Sequence, residues 1–208
     1  TIRQRYAKNT VRERHLARAL YDEITGAYGV GSAALDVYRK LFADQSFMHD
    51  PVDFAWMQNE IRNRLQKAGK PAFVEENADA FMDPMEAREV CLDGGGVPCY
   101  PILIDDKAGL TPHEKDPDAL ADSIEKLGIH FVEFIPQRND FNHLKKYVRR
   151  FRERGFPVVF GTEHNTANCI AMEPMARGDI KFDDELYTAA WQGACVIAAH
   201  QELRRRGK

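Results

Sequence analysis

Several marks by which a sequence announces its class are missing. The chain has four cysteines in 208 residues, Cys91, Cys99, Cys169 and Cys195, scattered with no CxxC pair. That spacing excludes a CxxC metal or redox motif, and a chain of this size does not need disulfides to hold it. Free, buried thiols in a reducing cytoplasm are the expectation. No run approaches the ~18 apolar residues of a membrane span, so no membrane partner is expected. The start carries no signal-peptide pattern. It opens Thr1-Ile2-Arg3 without an initiator Met, as expected of a fragment or a processed piece. Positive charge is not in excess: the formal net charge is −3. That balance argues against a dedicated nucleic-acid surface, and the local basic stretch from Lys145 to Arg154 reads as the solvated face of a helix. HxH and HxxxH spacings are also missing among His15, His49, His113, His130, His143 and His200.

The composition that remains is that of a soluble globular protein, with 44% apolar and 29% charged residues. The length suits one domain, or one domain with a subdomain. Residues 1–70 read as helices alone. "NTVRERHLARALYDEITGAYG" starts at a cap on Asn9 or Thr10 and stops at Gly29, with Leu16, Ala19, Leu20 and Ile24 at helical spacing. A second helix is expected from Ser32. A third starts at "DPVD", with Asp50 as cap and Pro51 in the first turn. Its stripe is Phe54, Met57, Ile61 and Leu65.

From residue 71 the grammar changes, and residues 84–206 alternate helix and strand. A helix capped by Asp83 and stopped by Gly94 precedes the apolar run "VPCYPILI". "DPDALADSIEKLG" precedes "IHFVEFI", and "FNHLKKYVRRFRERG" precedes "PVVFGT". A polar loop then leads to a long closing helix, "DELYTAAWQGACVIAAHQELRRR". Such alternation predicts an α/β fold with a parallel sheet and right-handed crossovers. Three strands are too few to close a barrel. A parallel strand left on an open edge is a liability, so the expectation is a piece of a larger barrel, or an upstream segment or homo-oligomer that covers the edge.

In parallel α/β folds, sites form at the carboxyl ends of the strands. Three loops are picked out: Asp105, Asp106, Lys107 and His113 after the first strand; Gln137, Arg138, Asn139 and Asp140 after the second; and "GTEHNTAN" after the third. Glu163 and His164 are of types that bind Zn, Mn or Fe. Adjacent residues point different ways, so both ligate only where the strand has ended, and Gly161 permits an unusual turn there. Two ligands do not make a site. His143 and His200 fall in helices, where a histidine is more often structural or exposed than ligating.

Five phrases, in order, resemble the polymerase-and-histidinol-phosphatase family of metallophosphoesterases: "RERHLARAL" (Arg12–Leu20), "KPAFV" (Lys70–Val74), "MEAREVCLDGGGVPCYP" (Met85–Pro101), "LGIHFVEF", and "RERGFPVVFGTEHN". The resemblance implies part of a distorted parallel (β/α)7 barrel, with residues 1–70 as an all-helical insertion and residues 71–208 as the carboxyl-terminal α/β part. It also implies two or three divalent ions, Mn, Zn or Fe, which activate water and neutralise phosphate oxygens. The mapping has departures. The family's Ala-His-Pro histidine falls on Tyr100. Its closing Asp-x-His falls on Glu163 and Asn165, with a histidine displaced to His164. The early HxH and Asp-His motifs are absent.

The expected function is therefore a metal-dependent hydrolase of a small phosphorylated substrate, a nucleotide or sugar phosphate. Glu163 and His164 serve as catalytic and metal residues, with further ligands upstream. Arg14, His15, Tyr100, Arg138 and Asn165 are the substrate-binding candidates, Arg138 being the better anion-binding position. The alternatives are a degenerate domain of the same family with a binding or regulatory role, and another metal-dependent barrel enzyme, an amidohydrolase or isomerase.

Overall fold

The computed structural model describes residues 1–8, 10–106, 109–164 and 171–207. It divides into two compact units, parted between Ala80 and Phe81.

The first unit is helical: α1 (Ile2–Tyr6), α2 (Glu13–Tyr28), α3 (Ser32–Leu41) and α4 (Phe54–Ile61), the last running into a π-helical turn at Arg62–Gln66. Helix α4 starts later than "DPVD" predicts. The Asp50 carboxylate accepts from Val52 N at 2.9 Å, a local turn that competes with the helix. Asp53 is the cap, accepting from Trp56 N at 3.1 Å. Pro51 stays outside, where its carbonyl takes the Tyr21 hydroxyl at 2.9 Å. The stripe Met57, Ile61 and Leu65 is buried as expected, and Phe54 packs partly buried beside it. Helix α2 is rotated from its predicted face. It buries Ala17, Ala19, Tyr21 and Ile24, while Leu16 is exposed. The unit closes on one cluster that includes Tyr21, Ile24, Tyr38, Phe47, Met57 and Ile61.

The second unit contains α5 (Pro84–Asp93), strand β1 (Tyr100–Ile102), a small hairpin of β2 (Asp105–Asp106) and β3 (Gly109–Leu110), α6 (Pro117–Lys126), β4 (Val132–Phe134), α7 (Phe141–Glu153), β5 (Val158–Phe160), a second hairpin of β6 (Met175–Ala176) and β7 (Ile180–Lys181), and α8 (Asp184–Arg205). Aspartate caps set the helix starts. Asp83 accepts from Met85 N, Asp116 from Asp118 N and Ala119 N, and Asp140 from Asn142 N and His143 N.

The fold is mixed α/β, with β1, β4 and β5 in one parallel sheet in the order β1-β4-β5. The register pairs Tyr100 with Val132 and Val158, and Pro101 with Glu133 and Val159. Because side chains alternate along a strand, the row with Ile102, Val132, Phe134 and Val158 faces the helices. It packs there with Leu120 and Ile124 of α6, Leu144, Val148 and Phe151 of α7, and Leu186 and Ala189 of α8.

Helix α8 also covers a sheet edge. Pro157 O and Gly161 N bond to β4, so the Val158 carbonyl points to the far side of β5. A Cβ at position 193 would run into that carbonyl oxygen, and Gly193 lets α8 lie directly on the edge. A β5 edge that the strand count alone leaves open is thus met by the chain's own last helix.

Candidate functional site at the carboxyl edge of the sheet

The phrase after β5 breaks from the strand at Glu163, whose φ is 51°. Gly161, expected to supply the unusual turn, does not. Its N–H donates to Phe134 O at 2.9 Å as an ordinary ladder bond. What its missing Cβ provides is room: a Cβ there would strike the Glu133 carboxylate, which leans over it from the central strand. A left-handed glutamate costs about 1–3 kcal/mol and persists only where its surroundings hold it.

The turn carries the Glu163 carboxylate to Arg138, at the end of β4, with Nη2 to Oε2 at 2.7 Å. Both side chains are about one-third exposed. Such a part-exposed pair contributes roughly 0–1 kcal/mol. His164 Nδ1 lies 2.8 Å from Thr162 Oγ1, in an exposed position.

Behind this pair the first strand ends in a second polar group. Ile104 is buried with φ at 53°, a costly conformation for a β-branched residue. Glu114 holds it: the Glu114 carboxylate accepts from Leu103 N at 3.2 Å and Ile104 N at 3.1 Å, and also from Thr111 Oγ1. The Tyr147 hydroxyl in turn donates to the carbonyls of Glu114 and Lys115. The bend turns Asp105 toward the end of β4 and the start of α7. Its carboxylate there accepts from Asn139 Nδ2 at 3.1 Å and Asp140 N at 3.1 Å. His143 Nδ1 and Arg177 Nη1 each lie 3.4 Å from Oδ2. Asn139 is fully buried and also donates to Leu103 O at 2.6 Å. Arg177, beside β6, donates through Nη2 to the carbonyls of Asp105 and Arg138, and its N–H donates to Asn139 O at 2.9 Å.

The structure therefore brings Arg138 and Glu163 together and sets His164 beside them in sequence. Tyr100 is placed differently. It opens β1 on the helix-facing row and packs half-buried against the core, where burial, and next Glu114, push its pKa up. Asn165 lies outside the described residues, as do Lys107 and Cys169. Arg14 and His15 belong to the first unit. Arg14 Nη1 donates to Gln58 Oε1 at 3.3 Å and Asn59 Oδ1 at 3.2 Å. His15 Nδ1 accepts from Arg12 N at 3.1 Å, closing the start of α2. It also lines an open cavity of about 370 Å³ with Tyr6, Lys8, Thr10 and Arg12. The thiols correct an expectation: Cys91, Cys99 and Cys195 are free as predicted, but Cys99 and Cys195 are exposed and Cys91 is half-buried.

Sequence reasoning missed Glu114, Arg177 and the contact of His143 with Asp105. Glu114 and Arg177 sit in short turns without apolar periodicity, and the His143 contact spans 38 residues. Among the described residues, no three His, Cys, Asp or Glu side chains converge as a metal cradle. Nor is any helix among them long and apolar enough to cross a membrane. No family model, no curated protein and no solved structure matches the chain.

Proposed function

We propose that the carboxyl edge of this sheet is part of the active site of a hydrolase acting on a small phosphorylated molecule, a nucleotide or a sugar phosphate. One observation carries the reading. Arg138 and Glu163, from the ends of adjacent parallel strands, meet at 2.7 Å through a left-handed glutamate. Parallel sheets bind their ligands at this end, and backbone strain at non-glycine residues clusters at functional sites. A guanidinium matches phosphate geometry with two parallel N–H donors. In this reading Arg138 exchanges the Glu163 carboxylate for a phosphate.

The barrel belongs to the same proposal. Three parallel strands with α6, α7 and α8 packed on one face are compatible with a stretch of (β/α)7 wall that ends at β5, where α8 lies on the edge. The donor set fits a resident metal poorly. Glu163 is engaged by a guanidinium, and no third ligand of the usual types converges with it among the described residues. No step is assigned to Mn, Zn or Fe on these residues; a centre using Glu163 and His164 would draw its other ligands from elsewhere, an upstream segment or a second subunit. The same fact favours a second reading, a domain that binds a phosphorylated molecule in a binding or regulatory role without hydrolysing it.

The test is calorimetric titration of the full chain with inorganic phosphate and a panel of nucleotide and sugar phosphates, with and without Mn²⁺, alongside assay of released phosphate. Arg138→Ala is expected to weaken binding roughly 10- to 100-fold, the worth of a charged hydrogen bond. Unchanged affinity would show that the anion does not sit at Arg138. Binding without release in every condition selects the second reading. If metal content and activity survive Glu163→Gln unchanged, the metal and catalytic assignments are wrong.

A further inference from the structure

The carboxyl edge holds another pair of titratable groups, Asp105 and His143. Asp105 is 11% exposed in its side chain and His143 is 51% exposed, with Nδ1 and Oδ2 at 3.4 Å. The carboxylate is fixed from several elements at once. Asn139 Nδ2 holds Oδ1, while Asp140 N and the Arg177 guanidinium face Oδ2. Among the described residues, the charged and titratable groups near the pair include Arg177 from the β6 hairpin, Tyr147 one turn further along α7, and Asp140 at the start of α7, itself spent on capping Asn142 N and His143 N. A guanidinium and two N–H donors, from Asn139 and Asp140, are aimed at the Asp105 carboxylate. A carboxylate facing Nδ1 selects the imidazole tautomer with its proton there, and leaves the lone pair on Nε2. Half of the His143 side chain is open to solvent.

We infer that Asp105 and His143 are a proton-transfer pair, with His143 Nε2 as the proton acceptor and Asp105 as its positioning residue. The inference rests on the proposed hydrolase reading and adds its general base. The two parts share one mounting. Asn139, which holds Asp105, follows Arg138 directly, and Arg177 donates to the carbonyls of both Asp105 and Arg138. In the step, a water gives a proton to His143 Nε2 and its oxygen bonds to phosphorus. The ester P–O bond breaks, and the departing oxygen takes a proton from solvent. A donor–acceptor distance of 3.4 Å is long for a hydrogen bond, and catalytic contacts of this kind tighten in the substrate complex.

Nitrogen-15 NMR of the His143 ring in the full chain tests the pair without reference to activity. The neutral ring is expected as the Nδ1–H tautomer, and Asp105→Asn is expected to abolish that preference. A predominant Nε2–H tautomer in the unaltered protein overturns the pair. The second arm uses p-nitrophenyl phosphate and inorganic phosphate as probes. His143→Gln, at a half-exposed position, is expected to lower kcat by about 10²- to 10⁴-fold, with phosphate affinity unchanged. An unchanged kcat overturns the role, as does phosphate binding with no hydrolysis by the unaltered chain. If phosphate does not bind at all, the hydrolase reading fails by itself and the tautomer alone decides the pair.

Discussion

The two units each bury a hydrophobic cluster, yet they dispose of their polar groups differently. In the helical unit the charged side chains act as clasps between segments: Glu13 pairs with Arg62 and Lys67, and Arg64, which also bonds Glu60 one turn earlier, pairs with Asp44. These pairs are part-exposed and contribute little each. The second unit has similar clasps between its helices, Arg149 with Glu185 and Arg150 with Asp118. It also does what the first does not, and gathers polar groups inside. Four described residues of polar or charged type are buried, and three of them, Asp105, Glu114 and Asn139, stand at the carboxyl edge of the sheet. Buried polar groups are expensive unless satisfied. Their convergence at one strand end is the physical difference between a region that is only packed and one that is also arranged.

The sharpest way to break the comparison is to attack the cores separately. Phe151 is fully buried in the second cluster, and Met57 in the first. Phe151→Ala is expected to cost about 3–5 kcal/mol and Met57→Ala about 2–5 kcal/mol. Hydrogen exchange should show the loss of protection concentrated in the unit that carries each substitution. Equal loss in both units from either variant would mean that the two clusters behave as one core.

Next in size is Asn139→Ala. It removes the donor to Leu103 O and to Asp105 and leaves both acceptors short of a partner, which costs about 1–3 kcal/mol. Denaturant midpoints measure this, and a change under ~0.5 kcal/mol would mean that water replaces the amide there. The counterpart in the first unit is Tyr38, fully buried with a hydroxyl that, like Asn139 Oδ1, finds no hydrogen-bond partner among the described residues. Burial drives its pKa upward. Tyr38→Phe removes only the cost of that hydroxyl, and stability should hold or rise by up to about 1 kcal/mol. The two substitutions thus have opposite signs if polar burial is used in the second unit and incidental in the first.

Much of this arrangement was legible beforehand, for reasons that are local. The caps Asp83 and Asp116 mark helix starts because a side-chain oxygen and the next N–H groups lie within a few residues of each other, whereas Asp140, which reads as a loop residue of the site, is a cap only in the structure. The stripe Leu144, Val148 and Phe151 marks the buried face of α7 by spacing alone. The rule that sites form at strand carboxyl ends picked out the loops of Asp105, Arg138 and Glu163. What was illegible is non-local. That Tyr100 shares a face with Val132 follows from register, which one strand does not encode. Arg177 reaches its partners from a hairpin with no apolar pattern. His143, as a residue near the start of a helix, looked like any exposed helical histidine until Asp105 was placed beside it.

The smallest expected effect concerns acid. Glu185, in the first turn of α8, bonds Arg149 at 2.9 and 2.8 Å and faces Lys145. The Arg149 guanidinium first, and Lys145 with it, holds the Glu185 carboxyl down at about 2 against an ordinary 4.5. Asp183 beside it is lowered too, chiefly by Lys145. A carboxylate with a depressed folded-state pKa binds its proton more readily when unfolded. The stabilisation is therefore present in full above about 4.5 and is lost as pH falls from there toward 2. Glu185→Gln removes that contribution, so the fall in melting temperature across this range should be shallower than in the unaltered protein, with little difference in slope above pH 6. In the helical unit Glu13 is lowered as well, chiefly by Lys67, so Glu13→Gln offers the matching probe. If both variants flatten the acid limb alike, the interhelical clasps of the two units are equivalent, and what separates the units is confined to the buried polar groups at the sheet's edge.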